Sequence, residues 1–196
     1  MGKWTMLPEP LEVTVRVTRV FEKLGIPYLI GGSLASTLYG MVRTTQDADI
    51  VADMRSEHIR PFADELQGEF YVDEEMIAGA IRDNSSFNIL HRASMFKVDV
   101  FIPVQRPFHR SQLARAQKQI FSDDPVVSAR FASAEDTILS KLEWYRMGGE
   151  ISERQWRDVL GILKTNVGML DLDYLREWAK ELKVSDLLKR ALGETS

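Results

Sequence analysis

The stretch from Leu29 to Val51, LIGGSLASTLYGMVRTTQDADIV, leaves the chain few paths. Tyr28, Leu29 and Ile30 form a short apolar strand, and Gly31 and Gly32 break it. Ser33 is placed to cap a helix that runs to about Tyr39. Glycine lets backbone approach a ligand with no Cβ in the way. The free amides at a helix start favour an anion, and the Ser33 hydroxyl stands beside them. The turn is therefore either a phosphate cradle or a plain strand-to-helix connection. Asp47 and Asp49 follow, one residue apart, at the head of the apolar run Ile50, Val51 and Ala52. Residues i and i+2 of a strand share a face, roughly 6–7 Å apart. Two carboxylates so placed repel unless a cation lies between them, and hard oxygen ligands suit Mg²⁺ or Mn²⁺. The other reading is a polar turn leading into a strand.

A third carboxylate lies in FKVDVFI, residues 96–102, where Asp99 sits among apolar residues. A desolvated carboxylate needs a partner, since burying it alone costs several kcal/mol. Lys97 is on the same strand face by the period of two. Two arrangements satisfy Asp99. Either it pairs with Lys97 on a solvated face, or its strand lies beside the Asp47/Asp49 strand. In the second case three carboxylates converge, as in two-metal sites for phosphoryl transfer.

The chain around these motifs has 196 residues, enough for one domain or one domain with a small appendage. It has no cysteine, which excludes disulfides, thiolate metal sites and a cysteine nucleophile, and fits a reducing compartment. There are 25 Lys and Arg against 29 Asp and Glu, a formal charge of −4, which disfavours a generally basic nucleic-acid binder. The first residues, MGKWTMLPEPLEV, carry no apolar signal core, and apolar residues nowhere run 18 together. The expectation is a soluble, cytoplasmic protein that does not enter a membrane.

Apolar spacing predicts a helix over 9–24, strands at 28–30 and 49–51, a helix over 56–67, a short strand over 69–72 and a helix over 73–82. Strands over 86–90 and 96–102 flank a turn at His91 to Ser94, a weak helix covers 106–117, and strands at 120–121 and 126–131 follow. Three helices end the chain. The first opens at a capping box, Ser133 to Asp136, and stops at Gly148 and Gly149. The second covers 152–164, and the third is capped by Asp171 with Leu172, Leu175, Trp178 and Leu182 as its stripe. The fold class is α+β, a mixed sheet with flanking helices followed by a C-terminal helical bundle. The boundary is set at residue 132, giving units 1–132 and 133–196.

Gly-Gly-Ser, then Arg43, Thr44 and Thr45, then Asp47-Ala48-Asp49, and later a lone strand Asp99, resemble the nucleotidyltransferase superfamily related to DNA polymerase beta. Lys97 with Asp99, and Lys141, Arg146, Arg157 and Asp158 downstream, resemble its AbiEii-type branch, known for toxins of toxin–antitoxin and phage-defence systems. That branch often ends the later motif Asp-x-x-Asp, whereas Gly161 stands here at the second Asp. The resemblance covers most of residues 25–165.

It implies a nucleotidyltransferase-like sheet, with Asp47, Asp49 and Asp99 as catalytic and metal-holding residues and Mg²⁺ or Mn²⁺ as cofactor. It implies nucleotide contacts from Gly31, Gly32, Ser33, Arg43, Thr44, Lys97 and Lys141. The reaction implied moves an NMP group from an NTP to a hydroxyl on RNA, tRNA, protein or a small molecule. A cognate antitoxin is an implied partner. A binding-only module on the same scaffold is the competing reading.

Several residues keep two readings. Arg43 either contacts phosphate or pairs with Asp47 or Asp49. Lys141 is either a site residue or an exposed lysine on an amphipathic helix, and Arg157 and Asp158 either belong to the motif or form a helix-surface ion pair. Arg106, Arg110, Arg115 and Lys118 make either a basic stripe for RNA or a solvated face. His58, His91 and His109 show no metal spacing, and Trp144, Trp156 and Trp178 fall at core-type helix positions. P-loop, Rossmann, zincin and nucleophile-elbow motifs are absent.

Overall fold

The structure is a computed structural model and describes residues 8–40, 45–123 and 126–195. It divides into two compact units. One holds the described residues of Met1–Leu34 and Thr44–Phe131, the other those of Ala35–Arg43 and Ala132–Ser196.

The first unit is built on a mixed sheet. Its strands are β1 (Tyr28–Ile30), β2 (Asp47–Ala52), β3 (Phe70–Tyr71), β4 (Ser86–His91), β5 (Lys97–Phe101), β6 (Gln117–Asp123) and β7 (Val126–Phe131), in the order β3-β4-β5-β2-β1-β7-β6. β2 runs parallel to β5, and β1 parallel to β7; the other neighbours are antiparallel. Helix α1 (Glu9–Lys23) buries Val13, Val17, Val20 and Phe21, the stripe its spacing predicts. The chain turns at Gly25, whose φ is +66°, and the Ile26 amide bonds the Phe21 carbonyl at 2.9 Å. The Phe21 ring stacks on Tyr28 and on Phe62, at centroid distances of 5.7 and 4.9 Å, and Phe62 meets Phe87 edge-on at 6.2 Å. Each such ring contributes about 1.5–3 kcal/mol through burial, and together they join α1 and α3 (Ile59–Leu66) to β1 and β4. Two further helices belong here, α4 (Glu74–Asp83) and α5 (Pro107–Arg115).

The unit boundary falls inside α2 (Gly32–Leu38). The second unit continues with α6 (Ala134–Met147), α7 (Glu153–Thr165), α8 (Leu172–Glu181) and α9 (Ser185–Thr195). The Ser133 hydroxyl accepts from the Asp136 amide at 3.1 Å, and Ser152 and Asp171 cap α7 and α8 in the same way. The Tyr39 hydroxyl donates to the Ala132 carbonyl at 2.7 Å, and the Asn166 amide donates to the Tyr39 carbonyl at 3.1 Å.

The α+β class and the helical C-terminal region are as expected, and the differences have local causes. Helix α2 starts at Gly32, so Ser33 lies within its first turn and does not cap it. The stretch over 56–67 is a 3-10 turn, Ser56–His58, followed by α3. A fourth terminal helix, α9, follows where three were expected. Lys183 makes the break before it at φ +58°, a left-handed turn with no glycine to announce it. Trp144 is 52% exposed, not a core residue, whereas Trp156 is buried against Tyr145 and under the Arg190 guanidinium. Of the two readings open for Lys141 and for Asp158, the helix-surface one fails for both: they are buried and bonded to each other at 2.7 Å. Among the described residues no helix is long and apolar enough to cross a membrane.

Candidate active site

Strand β2 alternates strictly. Ala48, Ile50 and Ala52 are buried, while Asp47, Asp49 and Val51 are half-buried on the other face. Strand β5 does the same, with Val98 and Val100 buried and Lys97, Asp99 and Phe101 opposite. The apolar members anchor each strand in the core, so the acids must occupy the open face. The parallel register then sets which side chains are neighbours: Asp47 stands across from Lys97, and Asp49 across from Asp99. Adjacent strands lie about 4.8 Å apart, so the three aspartates and Lys97 make one cluster.

Lys97 Nζ lies 2.7 Å from Asp99 Oδ2, with the two side chains 44% and 20% exposed. That hydrogen bond is the main reason the ammonium is held above its usual pKa; burial opposes it, and the charges of Asp99, Asp47 and Asp49 add to it. Asp47 is oriented by the Thr45 hydroxyl, which donates to Asp47 Oδ1 at 3.1 Å and to its carbonyl at 2.8 Å.

The glycine turn reaches the same cluster. The Gly31 amide donates to the Asp49 carbonyl at 2.9 Å. Gly32 has φ +54°, and a Cβ built there would stand 2.6 Å from Asp49 Cγ and 2.8 Å from Asp49 Cβ. Glycine is required on both counts, since φ is left-handed and no side chain fits. Ser33, the next residue, is buried.

Asp47, Asp49, Asp99, Lys97, Gly31, Gly32 and Ser33 thus belong to one region of the first unit. Arg43 and Thr44 lie outside the described residues. Lys141 lies in the second unit, where its ammonium donates to Asp158 at 2.7 Å and to Gln155 at 3.4 Å. The structure adds Asn88. It is exposed on β4 and paired with Asp99, so polar positions Asp49, Asp99 and Asn88 run across three neighbouring strands. The signal in the sequence was an amide, poor in strands, at an outward position of an alternating run.

The basic stripe does not stand as four free cations. Arg106 bonds His109 Nε2 at 2.9 Å and lies over the Phe108 ring. The histidines make local polar contacts: His58 Nδ1 accepts from the Arg55 amide, and His91 Nδ1 bonds the Ser94 hydroxyl.

Three carboxylates at adjacent positions on one sheet face are hard-oxygen donors, the ligand type that Mg²⁺ and Mn²⁺ take. Among the described residues no three acidic or histidine side chains close into a metal cage as they stand, and Lys97 holds one oxygen of Asp99.

The same fold occurs in solved structures. An antigenic nucleotidyltransferase-like protein from Paracoccidioides brasiliensis matches at a TM-score of 0.54 and 17% identity, over 95% of this chain and 93% of that one. ANT(2")-Ia, in complex with adenylyl-2"-tobramycin, matches at a TM-score of 0.54 and 14% identity, over 88% of this chain and 96% of that one. The chain therefore has a nucleotidyltransferase-like fold. No protein-family model and no curated protein matches it.

Proposed function

We propose that the protein is a divalent-metal-dependent nucleotidyltransferase that moves an NMP group from an NTP to a hydroxyl. The observation that carries this reading is the register that sets Asp49 beside Asp99, with Gly32 closed against Asp49. In the reaction the acceptor oxygen bonds the α-phosphorus, the bond to the bridging oxygen breaks, and pyrophosphate leaves. Asp47, Asp49 and Asp99 would hold Mg²⁺ or Mn²⁺, which would supply charge neutralisation for the triphosphate. Asp99 takes the proton of the attacking hydroxyl. The Gly31-Gly32-Ser33 turn gives the polyphosphate close access to backbone, and Lys97 supplies a cation on the same face, with Arg43 and Thr44 as further contacts.

Lys141 is buried on Asp158, which supports a structural part for it. The resemblance carried by Lys97 and Asp99, and by Lys141, Arg146, Arg157 and Asp158, favours an AbiEii-type, toxin-like enzyme of the cytoplasm, acting on tRNA, another RNA or a protein and held by a cognate antitoxin. A small-molecule acceptor is the second reading. It is favoured by the fold shared with ANT(2")-Ia and by a net charge of −4, which suits a cationic acceptor better than a polyanion.

The test is pyrophosphate release from each of the four NTPs with Mg²⁺, adding total RNA or tobramycin, beside Asp47→Ala/Asp49→Ala. Turnover in the wild type that the double variant lacks is expected, and the acceptor that raises it names the class. A folded wild type that neither turns over nor binds Mg²⁺·NTP overturns the reading.

A further inference from the structure

We propose that Lys97 is the resident cation of the acidic cluster, and that a divalent ion binds only by displacing its ammonium from Asp99. The inference rests on the metal-site reading above. Three observations carry it. The register places Lys97 directly across from Asp47, one position from Asp99 on its own strand face, so the lysine is built into the cluster. Its Nζ is seated on Asp99 Oδ2 at 2.7 Å. Its side chain is 44% exposed, so the ammonium has solvent to move into once Asp99 is taken.

Without a counter-charge, three neighbouring carboxylates on one sheet face repel one another and weaken the pairing of β2 with β5. The ammonium, seated on Asp99 and across from Asp47, relieves that repulsion in the metal-free protein. A divalent ion brings two charges to the same oxygens. An ammonium left on Asp99 repels the incoming ion and withholds an oxygen from it. Binding and release of Lys97 are therefore one competition for Asp99, and metal affinity is lower than the donor set alone would give.

Mn²⁺ alone, with no nucleotide or acceptor, tests this on the full chain. Binding is measured by the loss of the free-ion electron paramagnetic resonance signal, for wild type, Lys97→Met and Lys97→Gln. A half-exposed ion pair is worth up to about 1 kcal/mol, so removing the competitor should tighten Mn²⁺ binding about fivefold. The metal-free variants should melt below the wild type, and saturating Mn²⁺ should raise their midpoints more than it raises the wild type's. Lys97→Gln keeps length and polarity, so it serves if Lys97→Met does not fold. Wild type and variants binding Mn²⁺ with equal affinity, or variants binding more weakly, overturns the role of Lys97 and leaves the metal site standing. Binding in none of the folded proteins overturns the competition at Asp99, and the metal-site reading falls with it where Mn²⁺·ATP is not bound either.

Discussion

Gly32→Ala is the sharpest perturbation of the site. Two costs act together. An alanine at φ +54° sits in the left-handed region, at roughly 1–2 kcal/mol. Its Cβ would also stand 2.6 Å from Asp49 Cγ and 2.8 Å from Asp49 Cβ, well inside contact distance. Something must move. The Asp49 backbone is tied on both sides, since β2 pairs with β1 and with β5. The yielding group is the Asp49 carboxylate together with the head of α2. The total loss is then about 2–3 kcal/mol, the scale of a strained backbone plus a displaced side chain. For a chain of this size that lowers the melting midpoint by roughly 5–10 °C. Mn²⁺ affinity should fall at least about tenfold, because Asp49 no longer faces Asp99.

Gly31→Ala is the control: the nearest atom to a Cβ there is Leu29 Cδ1 at 3.9 Å, and its φ is not left-handed. It should stay within about 0.5 kcal/mol of wild type. The assay is thermal melting followed by circular dichroism, with Mn²⁺ titrated into each folded variant. If Gly32→Ala melts with the wild type and binds Mn²⁺ equally, the close approach of the turn to Asp49 is refuted.

Two expectations concern the helical unit. Lys141→Met leaves the buried Asp158 carboxylate facing an apolar side chain and should cost about 3–5 kcal/mol in urea unfolding, while Lys141→Met/Asp158→Leu should recover much of it; a loss below about 1 kcal/mol for the single variant would show that the pair is not buried as described. Tyr39 has its pKa pushed up to about 12, first by burial and then by Glu135 and Asp136. The folded state thus holds this proton more tightly than the unfolded chain, whose tyrosine titrates near 10. The stability it contributes is full below about pH 10 and is lost as pH rises through 12. A late phenolate absorbance step near pH 12 that Tyr39→Phe removes is expected, and its persistence in that variant would reassign the step.

Local pattern made much of the fold legible. Strand β5 is legible because its apolar residues alternate; β2, expected over 49–51 from its apolar run, begins two residues earlier at Asp47, because a polar residue on the open face leaves no apolar mark; α6, α7 and α8 are legible because Ser133, Ser152 and Asp171 stand at their starts. Helix α9 did not read, because Lys183 adopts a left-handed turn without glycine, and Leu187, Leu188 and Ala191 make too short a stripe to show a period. Trp144 misled for a related reason: helical spacing says which residues share a face, not whether that face is covered.

The site divides along the same line. Asp47 and Asp49 were visible as a pair because both lie on one strand, where the period of two settles their common face. That Asp99 joins them depends on β5 lying parallel to β2 in one register, a non-local fact: shifting the pairing by one residue would set Asp99 against Ala48 or Ile50. Two readings of Lys97 and Asp99 stood as alternatives in the sequence, an ion pair or a part of the acid cluster. The register makes them one arrangement, because the pair is itself seated in the cluster. Asn88 enters by the same logic, since only the β4–β5 pairing makes it Asp99's neighbour. The chemistry-bearing residue types were therefore readable one strand at a time, and their geometry belonged to the sheet.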